Sequence, residues 1–331
     1  MQPNKSIKIF LNYFLGPVLF LWLSVSIYQQ ILHQSRLGAS WLHIRASVQS
    51  SKIVYLVLVL ALMFVNWSLE AWKWKLSVAT IYPISLARAV KAVLSGVSFS
   101  VTTPNRVGEY LGRMLYLPEG SRLKSISVTL VGSLSQLLVT FICGLAGFIF
   151  LRNELIAHGF FSPLAFRFAF WGLVAVIALL AMVYFQVAFL EQLLEKWVPR
   201  SKYLYLVQSL GAFDHPLLWR LLLLSFVRYT VFIVQYFLLF SLFQVAVPPG
   251  VVWCVVSVLF LAMAVIPSVA LVEVGLRGEV SLQLMGIFSD NSLGVGLTSV
   301  TIWLINLILP AILGSILFLG LKVFKRKNET V

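Results

Sequence analysis

Residues 84–104 read ISLARAVKAVLSGVSFSVTTP, an apolar stretch that ends at Pro104 and is followed by the charged segment 105–117. As a helix, the part from Ala92 to Pro104 would be about 20 Å long, at about 1.5 Å per residue. That length enters a bilayer core of about 30 Å without crossing it. Inside a membrane the stretch therefore predicts a re-entrant hairpin, whose broken backbone must be shielded by protein or by a water-filled cavity.

The composition of the chain places this hairpin in a membrane. Of the 331 residues, 60% are apolar and 11% are charged, whereas soluble domains average about 45–50% and about 25%. The mean hydropathy is +0.96. A soluble fold would need more charged residues than this to cover its apolar residues at a surface in contact with water. We therefore expect an all-α polytopic membrane protein that forms one integral domain over residues 1–331.

Six segments are apolar over the length of about 20 residues that a spanning helix needs. They are residues 9–31, 53–77, 125–150, 166–188, 216–243 and 292–320. The first lacks a small-residue cleavage site after its apolar run, so we interpret it as a retained helix and not as a signal peptide. Asn306 and Pro310 predict a kink in the last span.

The remaining charge is one-sided, with 25 Lys and Arg residues against 11 Asp and Glu residues. An excess of cations is typical of cytoplasmic loops, and it also suits a preference for anionic lipid headgroups. No basic segment is long enough to track a nucleic-acid groove, so nucleic acid is not an expected partner. Cations at both ends of the chain place both termini in the cytoplasm. They are Lys5, Lys8, Lys322, Lys325, Arg326 and Lys327.

A second short apolar stretch repeats the pattern of the first. Residues 249–267 (PGVVWCVVSVLFLAMAVIP) end at Pro267, and a charged segment follows at 268–287. Three predicted spans separate the two hairpins and, because three is an odd number, the hairpins are expected to open to opposite sides of the membrane. This arrangement predicts an inverted repeat with halves 1–165 and 166–331, and a binding site where the broken helices meet.

The two hairpins carry charges in matching positions. Glu109 and Arg113 follow the first proline, and Glu273 and Arg277 follow the second. In each hairpin the arginine comes four residues after the glutamate, which puts both side chains on one helix face. An unpaired charge inside a membrane costs at least about 2.5–3.5 kcal/mol. The pairs therefore either neutralise themselves to hold each hairpin together or mark the path of a charged substrate.

We favour the substrate path, because the charges recur at two broken helices. Thr103 is suited to cap a half-helix over 104–117, and the start of a helix attracts anions. Ser268 is suited to the same role in the second hairpin. A lipid phosphate is the expected ligand, bound against Arg106 and Arg113. The expected substrate-binding residues are Thr103, Pro104, Asn105, Arg106, Glu109, Arg113, Arg228, Pro267, Glu273 and Arg277.

Two further pairs of polar residues lie within the predicted spans. Arg228 and Gln235 are seven residues apart and share a helix face, so we expect them to line the same cavity. Glu70 and Lys73 are three residues apart and predict a local pair near the end of the second span.

The sequence carries no arrangement of residues that argues for catalysis. It has no ATP-binding loop, no metalloprotease motif and no nucleophile elbow, and its four histidines form no ligand pair. Cys143 and Cys254 lie in apolar runs and are expected to be buried. We therefore expect no enzyme activity, no catalytic residue, no metal and no cofactor.

Two motifs resemble a known family. The first is TPNRVGE (103–109), which follows a span ending in WKWK (72–75), and the second is Pro267 followed by EVGLR (273–277). Together they resemble the transmembrane domain of the lysylphosphatidylglycerol synthase/flippase family, the membrane half of the multiple peptide resistance factor. The resemblance covers nearly the whole chain. The second hairpin departs from the family pattern, because it reads SVALV (268–272) where a Gly-Gly run is expected.

The resemblance implies lipid translocation between leaflets, with aminoacylated phosphatidylglycerol as the best-known cargo. Full-length members have a soluble synthase domain after the membrane domain, whereas this sequence ends at Val331, so it is not expected to make aminoacyl lipid by that route. We expect a flippase-like translocator of an anionic or aminoacylated phospholipid. Its expected partners are membrane lipids, either an anionic phospholipid or a lipid-linked phosphate, and a homo-oligomer is compatible with this function.

Two other functions fit the same residues. A transporter of polyprenyl-phosphate-linked sugars would use the same phosphate site and would need a long groove for the isoprenoid chain. A membrane enzyme or an accessory subunit would bind lipid without moving it.

Overall fold

The computed structural model describes residues 25, 28–29, 37–101, 103, 107–187, 209–266 and 270–319, and every regular element in these ranges is helical. The all-α fold is therefore confirmed. The helices are α1 (Leu37–Val48), α2 (Val54–Val78), α3 (Leu86–Val101), α4 (Gly108–Met114), α5 (Glu119–Arg122), α6 (Lys124–Phe150), α7 (Arg152–Ala157), α8 (Pro163–Phe185), α9 (His215–Leu242), α10 (Pro249–Val265), α11 (Ala270–Met285), α12 (Ser292–Trp303) and α13 (Leu309–Leu319).

Five helical segments are long and apolar enough to cross a membrane. They are Ser51–Val78, Glu119–Phe150, Pro163–Phe185, His215–Leu242 and Ser292–Phe318. Five of the six predicted spans are thus confirmed, and the protein is a multi-pass membrane protein. The sixth span, 9–31, lies outside the described residues except for residues 25 and 28–29, and the cations at both termini lie outside them as well.

Side-chain caps fix where three of the long helices begin. Ser162, Asp214 and Asn291 each accept a hydrogen bond from the backbone N–H three residues later. Each cap satisfies a donor that has no partner within the first turn of a helix. The starts of α8, α9 and α12 therefore follow from local sequence.

Each predicted hairpin consists of two helices separated by a break at the predicted tip. The first is formed by α3 and α4, and the second by α10 and α11. The half-helix predicted over 104–117 is shorter in the structure, where α4 extends from Gly108 to Met114. The re-entry of each hairpin into the membrane, the opposite orientation of the two hairpins and the division into halves 1–165 and 166–331 stay predictions.

Glycines hold the first hairpin together. A Cβ atom on Gly112 of α4 would lie 2.6 Å from the Cα of Gly96 in α3. On another side of α3, a Cβ atom on Gly314 of α13 would overlap the carbonyl oxygen of Leu94. Since no side chain fits at either contact, α3 touches both of its neighbours backbone to backbone.

Helices α2, α6 and α9 each contribute residues to two separate hydrophobic cores. From these helices the first core takes Val59, Met63, Val139, Cys143, Phe148, Tyr229, Ile233, Tyr236, Leu239, Phe240 and Leu242. The second takes Ala71, Trp74, Val78, Val128, Val131, Leu138, Leu218 and Leu221. Close to where the two cores meet, each helix buries a polar side chain completely, at Asn66, Ser135 and Ser225. This polar layer is where the candidate site lies. Both cysteines are buried, as expected.

One π-helical turn, Leu304–Ile308, joins α12 to α13. Pro310 has no N–H, so it cannot donate the hydrogen bond that the carbonyl oxygen of Asn306 would receive in an α-helix. The irregular turn lies where the sequence predicts a kink. Before the turn α12 packs against α11, and after it α13 packs against α3.

Candidate functional site

The first hairpin carries Arg113 into the protein interior, where it is 3% exposed. Its guanidinium binds the carboxylate of Glu109, one turn earlier in α4, which confirms the pair predicted from the four-residue spacing. The same group also donates to Oε1 of Glu70 at 2.9 Å. This second partner comes from α2, which ties the hairpin to a membrane-spanning helix.

Glu70 is the centre of a buried ion cluster. Its Oε2 lies 2.9 Å from Nζ of Lys73 and 3.1 Å from a terminal nitrogen of Arg228. With Arg113, three cations from α2, α4 and α9 surround one carboxylate. The sequence predicted only the local pair with Lys73, because helical spacing carries no information about residues on other helices.

Hydrogen bonds within the polar layer hold two of these cations. Arg228 donates from Nε to Oδ1 of Asn66 at 2.8 Å. Lys73 donates from Nζ to the hydroxyl of Ser225 at 3.4 Å, and that hydroxyl lies 2.8 Å from the hydroxyl of Ser135. The cluster is therefore built into the contact between α2, α6 and α9.

The cluster carries an excess of positive charge. Among the described residues it contains three cations, Lys73, Arg113 and Arg228, and two carboxylates, Glu70 and Glu109, which leaves one positive charge. An unbalanced buried charge is costly in a medium of low dielectric constant. This arrangement favours the approach of an anion wherever the cluster is accessible.

Arg228 links the ion cluster to a cavity of about 540 Å³, which is within the usual size range of small-molecule sites. Helices α2, α6, α9, α10, α11 and α12 and the π-helical turn contribute to the wall. Its charged and amide side chains are Gln136, Arg228, Glu273, Arg277 and Asn306. Its aromatic side chains are Trp67, Tyr229, Phe232, Phe260 and Trp303.

The second hairpin contributes the charged pair of the cavity wall. Arg277 donates to Oε1 of Glu273 at 2.8 Å and to the hydroxyl of Tyr236 at 3.0 Å, and its guanidinium lies 6.0 Å from the ring of Phe260. The pair predicted in this hairpin is confirmed. Because several groups hold the guanidinium, it is positioned before any ligand arrives.

Arg228 lies between two aromatic rings in the same wall. Its guanidinium carbon is 5.2 Å from the ring of Trp67 and 5.4 Å from the ring of Phe232. Contacts at these distances are favourable cation–π interactions. The cavity thus has two oriented arginines in a mainly aromatic surrounding.

The structure brings Arg228, Glu273 and Arg277 together at this cavity, as the sequence predicts for a common site. Glu109 and Arg113 are not in its wall and reach it only through Glu70 and Arg228. The predicted binding residues Pro104, Asn105, Arg106 and Pro267 lie outside the described residues, and so does Ser268.

Two predictions about individual side chains need correction. Thr103 accepts a hydrogen bond from the N–H of Gly108 at 2.7 Å, so it does satisfy a backbone donor at the start of α4. It is not the residue that directly precedes the helix, however, because four residues lie between Thr103 and Gly108. Gln235 is not in the cavity wall, because its amide group is buried and donates to the carbonyl of Val59 at 2.9 Å.

Sequence reasoning missed Glu70 as the centre of the cluster, and it missed Gln136 and Asn306 as cavity residues. A glutamate and a lysine within a 25-residue apolar helix were the available signal for the cluster. Within the described ranges, no three His, Cys, Asp or Glu side chains are grouped so that they could hold a metal ion.

The sequence matches the model of a known family. The sequence model described as the lysylphosphatidylglycerol synthase TM region matches residues 11–315, a range that includes both hairpins, the ion cluster and the whole cavity wall. No curated protein sequence matches the chain significantly. Since the family model covers far more than half of the 331 residues, the chain belongs to the lysylphosphatidylglycerol synthase TM region family.

Proposed function

We propose that this protein translocates a phosphate-bearing lipid between the leaflets of a bacterial inner membrane, with the headgroup bound between Arg228 and Arg277. The acyl chains stay in the bilayer while the headgroup passes through the cavity. The protein performs no chemical conversion in this proposal, and both of its termini lie in the cytoplasm.

The observation that carries the proposal is a cavity with charged wall residues, one of which lies at the midpoint of a spanning helix. Arg228 is the fourteenth residue of the 28-residue helix α9, about 20 Å from either end. Charged side chains at such a depth are expensive and usually mark the path of a substrate or an ion. Paired arginines suit a phosphate, because the planar guanidinium binds its oxygens in a bidentate manner.

The ion cluster gives Arg228 a way to exchange partners. Glu70 is bound by Lys73 and Arg113 as well as by Arg228, so it stays neutralised when Arg228 turns toward a phosphate. The phosphate then balances the excess positive charge of the cluster. In this mechanism Arg113 acts through Glu70 and does not touch the lipid.

The test is headgroup movement in proteoliposomes that contain phosphatidylglycerol with a fluorescent group on its acyl chain. A membrane-impermeant reductant quenches the outer leaflet, and protein-dependent movement exposes the inner leaflet as well. We expect Arg228→Gln and Arg277→Gln each to slow this movement about tenfold or more, since a hydrogen bond to a charged group is worth about 1.5–3 kcal/mol.

Arg220→Gln is the matched control. Arg220 is an exposed arginine on the same helix, outside the cavity wall, and its loss should leave the rate unchanged. Movement that survives both cavity substitutions would place the lipid path elsewhere. If phosphatidylglycerol stays in place but a labelled polyprenyl-phosphate sugar moves, the cargo is the isoprenoid lipid. If neither lipid moves, the translocator proposal is wrong, and an accessory or enzymatic role replaces it.

A further inference from the structure

We infer that the cavity binds a small monovalent inorganic anion, such as chloride, at Arg228 whenever no lipid phosphate is bound there. The anion and the lipid phosphate exclude each other, which makes the anion a regulator of the site in the proposed function. Only this competition rests on that function, because the binding of the anion itself follows from the charge and the exposure of the ion cluster.

Arg228 is the most accessible of the three cations in the ion cluster. Its side chain is 14% exposed, whereas the side chains of Lys73 and Arg113 are 3% and 4% exposed. Arg228 is also part of the cavity wall, and Lys73 and Arg113 are not. A ligand that enters the cavity therefore meets the charge of the cluster at Arg228.

Glu70 cannot balance Arg228 by itself, because the same carboxylate also binds Lys73 and Arg113. Arg113 has a second carboxylate, Glu109, so the described residues of the cluster supply two carboxylates for three cations. One monovalent anion at Arg228 makes the charges equal, whereas a divalent anion would reverse the imbalance. Since an uncompensated charge is costly in an interior of low dielectric constant, the balanced state is favoured.

The surroundings of Arg228 favour weakly hydrated anions. Its guanidinium carbon lies 5.2 Å from the ring of Trp67 and 5.4 Å from the ring of Phe232. An anion gives up much of its hydration to bind among such rings, and the cost of dehydration rises with the square of the ionic charge. The guanidinium is itself weakly hydrated. The expected order of affinity is therefore iodide, bromide and chloride, with sulfate far behind.

Trp67 reports on this site, because iodide quenches the fluorescence of an indole that it contacts. Exposed tryptophans such as Trp171 and Trp219 give quenching that rises linearly with the iodide concentration. An iodide bound at Arg228 adds a component that saturates. The delipidated full chain in a nonionic detergent is titrated with sodium iodide at constant ionic strength. We expect the saturable component, and chloride but not sulfate should displace iodide from it.

Substitutions assign this component to the ion cluster. Arg228→Gln should weaken it about tenfold or more, because a charge-assisted contact is lost, and Trp67→Phe should abolish it by removing the reporter. Lys73→Met should weaken it about threefold, since the variant removes a positive charge of the cluster and leaves the cavity wall unaltered. Arg220→Gln is the matched control, because Arg220 is exposed on α9 and outside the cavity wall, and it should have no effect.

Three results would overturn the anion site. They are purely linear quenching of the unaltered chain, a saturable component that survives Arg228→Gln, and displacement by sulfate as effective as that by chloride. An unchanged affinity in Lys73→Met would show that the excess charge is not the cause, and it tests this point even if Arg228→Gln does not fold.

Thermal denaturation gives a readout that does not depend on tryptophan. A ligand that binds the folded state alone raises the denaturation temperature as its concentration rises. Chloride should therefore stabilise the unaltered chain more than it stabilises Arg228→Gln or Lys73→Met, because general salt effects are common to all three proteins. Equal stabilisation of all three would also contradict the anion site.

The competition with lipid separates the anion site from the proposed function. Dihexanoyl-phosphatidylglycerol should raise the iodide concentration at half-saturation, and simultaneous binding of the two would overturn their mutual exclusion. If the saturable component is found but no lipid moves in proteoliposomes, the anion site stands and translocation fails. If lipid moves and the component is absent, translocation stands and the anion site fails.

Discussion

The two hairpins carry the same charged pair and place it in different surroundings. In the first, Arg113 is enclosed and bound to two carboxylates, Glu109 and Glu70. In the second, Arg277 lies in the wall of a cavity and is bound to one carboxylate and one hydroxyl. Matching positions in a repeated pattern therefore need not have matching surroundings: the first pair is enclosed in the ion cluster, and the second lies in the cavity wall.

A single side chain on the neighbouring spanning helix accounts for the difference. Beside Arg113, α2 supplies the charged acceptor Glu70, which recruits Lys73 and Arg228 as well. Beside Arg277, α9 supplies the neutral hydroxyl of Tyr236. A carboxylate holds an arginine in a low-dielectric interior more strongly than a hydroxyl does, so Arg113, with two carboxylates, is held more tightly than Arg277, with one carboxylate and one hydroxyl.

The strongest test of this contrast is Glu70→Ala. The substitution leaves Lys73, Arg113 and Arg228 without their shared carboxylate, and breaking a buried ion pair in this way costs about 3–5 kcal/mol. We expect a large fall in the thermal denaturation temperature of the protein in detergent. Glu154→Ala, which removes a half-exposed glutamate beside His158, should have no such effect. An unchanged denaturation temperature for Glu70→Ala would show that the cluster does not anchor the first hairpin.

A smaller effect is expected from Gly112→Ala. The added methyl group would meet the backbone of Gly96, and forcing extra volume into a packed contact costs about 1–3 kcal/mol. Gly172→Ala is the control, because a Cβ atom there meets nothing within 4 Å, and alanine by itself favours a helix by about 1 kcal/mol. The denaturation temperature should fall for the first variant and stay equal or rise for the second. If the denaturation temperature rises for both variants, the stability of the hairpin formed by α3 and α4 does not depend on their backbone contact.

The smallest effect is expected from Tyr236→Phe. This variant removes one hydrogen bond of Arg277, and because the pair with Glu273 still positions the guanidinium, only part of the about 1.5–3 kcal/mol of a hydrogen bond to a charged group is lost. We expect headgroup movement to slow about two- to tenfold with little loss of thermal stability. Tyr82→Phe, which lies outside the cavity wall, should not slow it. A loss of stability as large as that of Glu70→Ala would give the second pair an anchoring role too and remove the contrast.

Local patterns predicted much of this fold. Apolar runs identified the five described spans, and a proline after a short apolar run identified each helix break. The four-residue spacing identified Glu109–Arg113 and Glu273–Arg277, because residues four apart share a face of any helix. These features depend only on neighbours along the chain.

The centre of the site could not be predicted in this way. Arg113 and Arg228 meet Glu70 across 43 and 158 positions of sequence, and only the packing of α2, α4 and α9 brings them together. Gln235 shows the same limit. The helix face that it shares with Arg228 predicts the side of α9 on which its side chain lies, but not which group of a neighbouring helix the side chain meets. Its amide reaches the backbone of Val59 before it reaches any cavity.

The π-helical turn gives the two hairpins a mechanical connection. The segment before the turn packs against the second hairpin, and the segment after it packs against the first. The two hairpins are therefore in contact with the same irregular helix, on opposite sides of the turn Leu304–Ile308. Asn306 and Leu307 of this turn are also part of the cavity wall. A tilt of either hairpin would therefore act on a helix whose irregular turn forms part of the cavity wall.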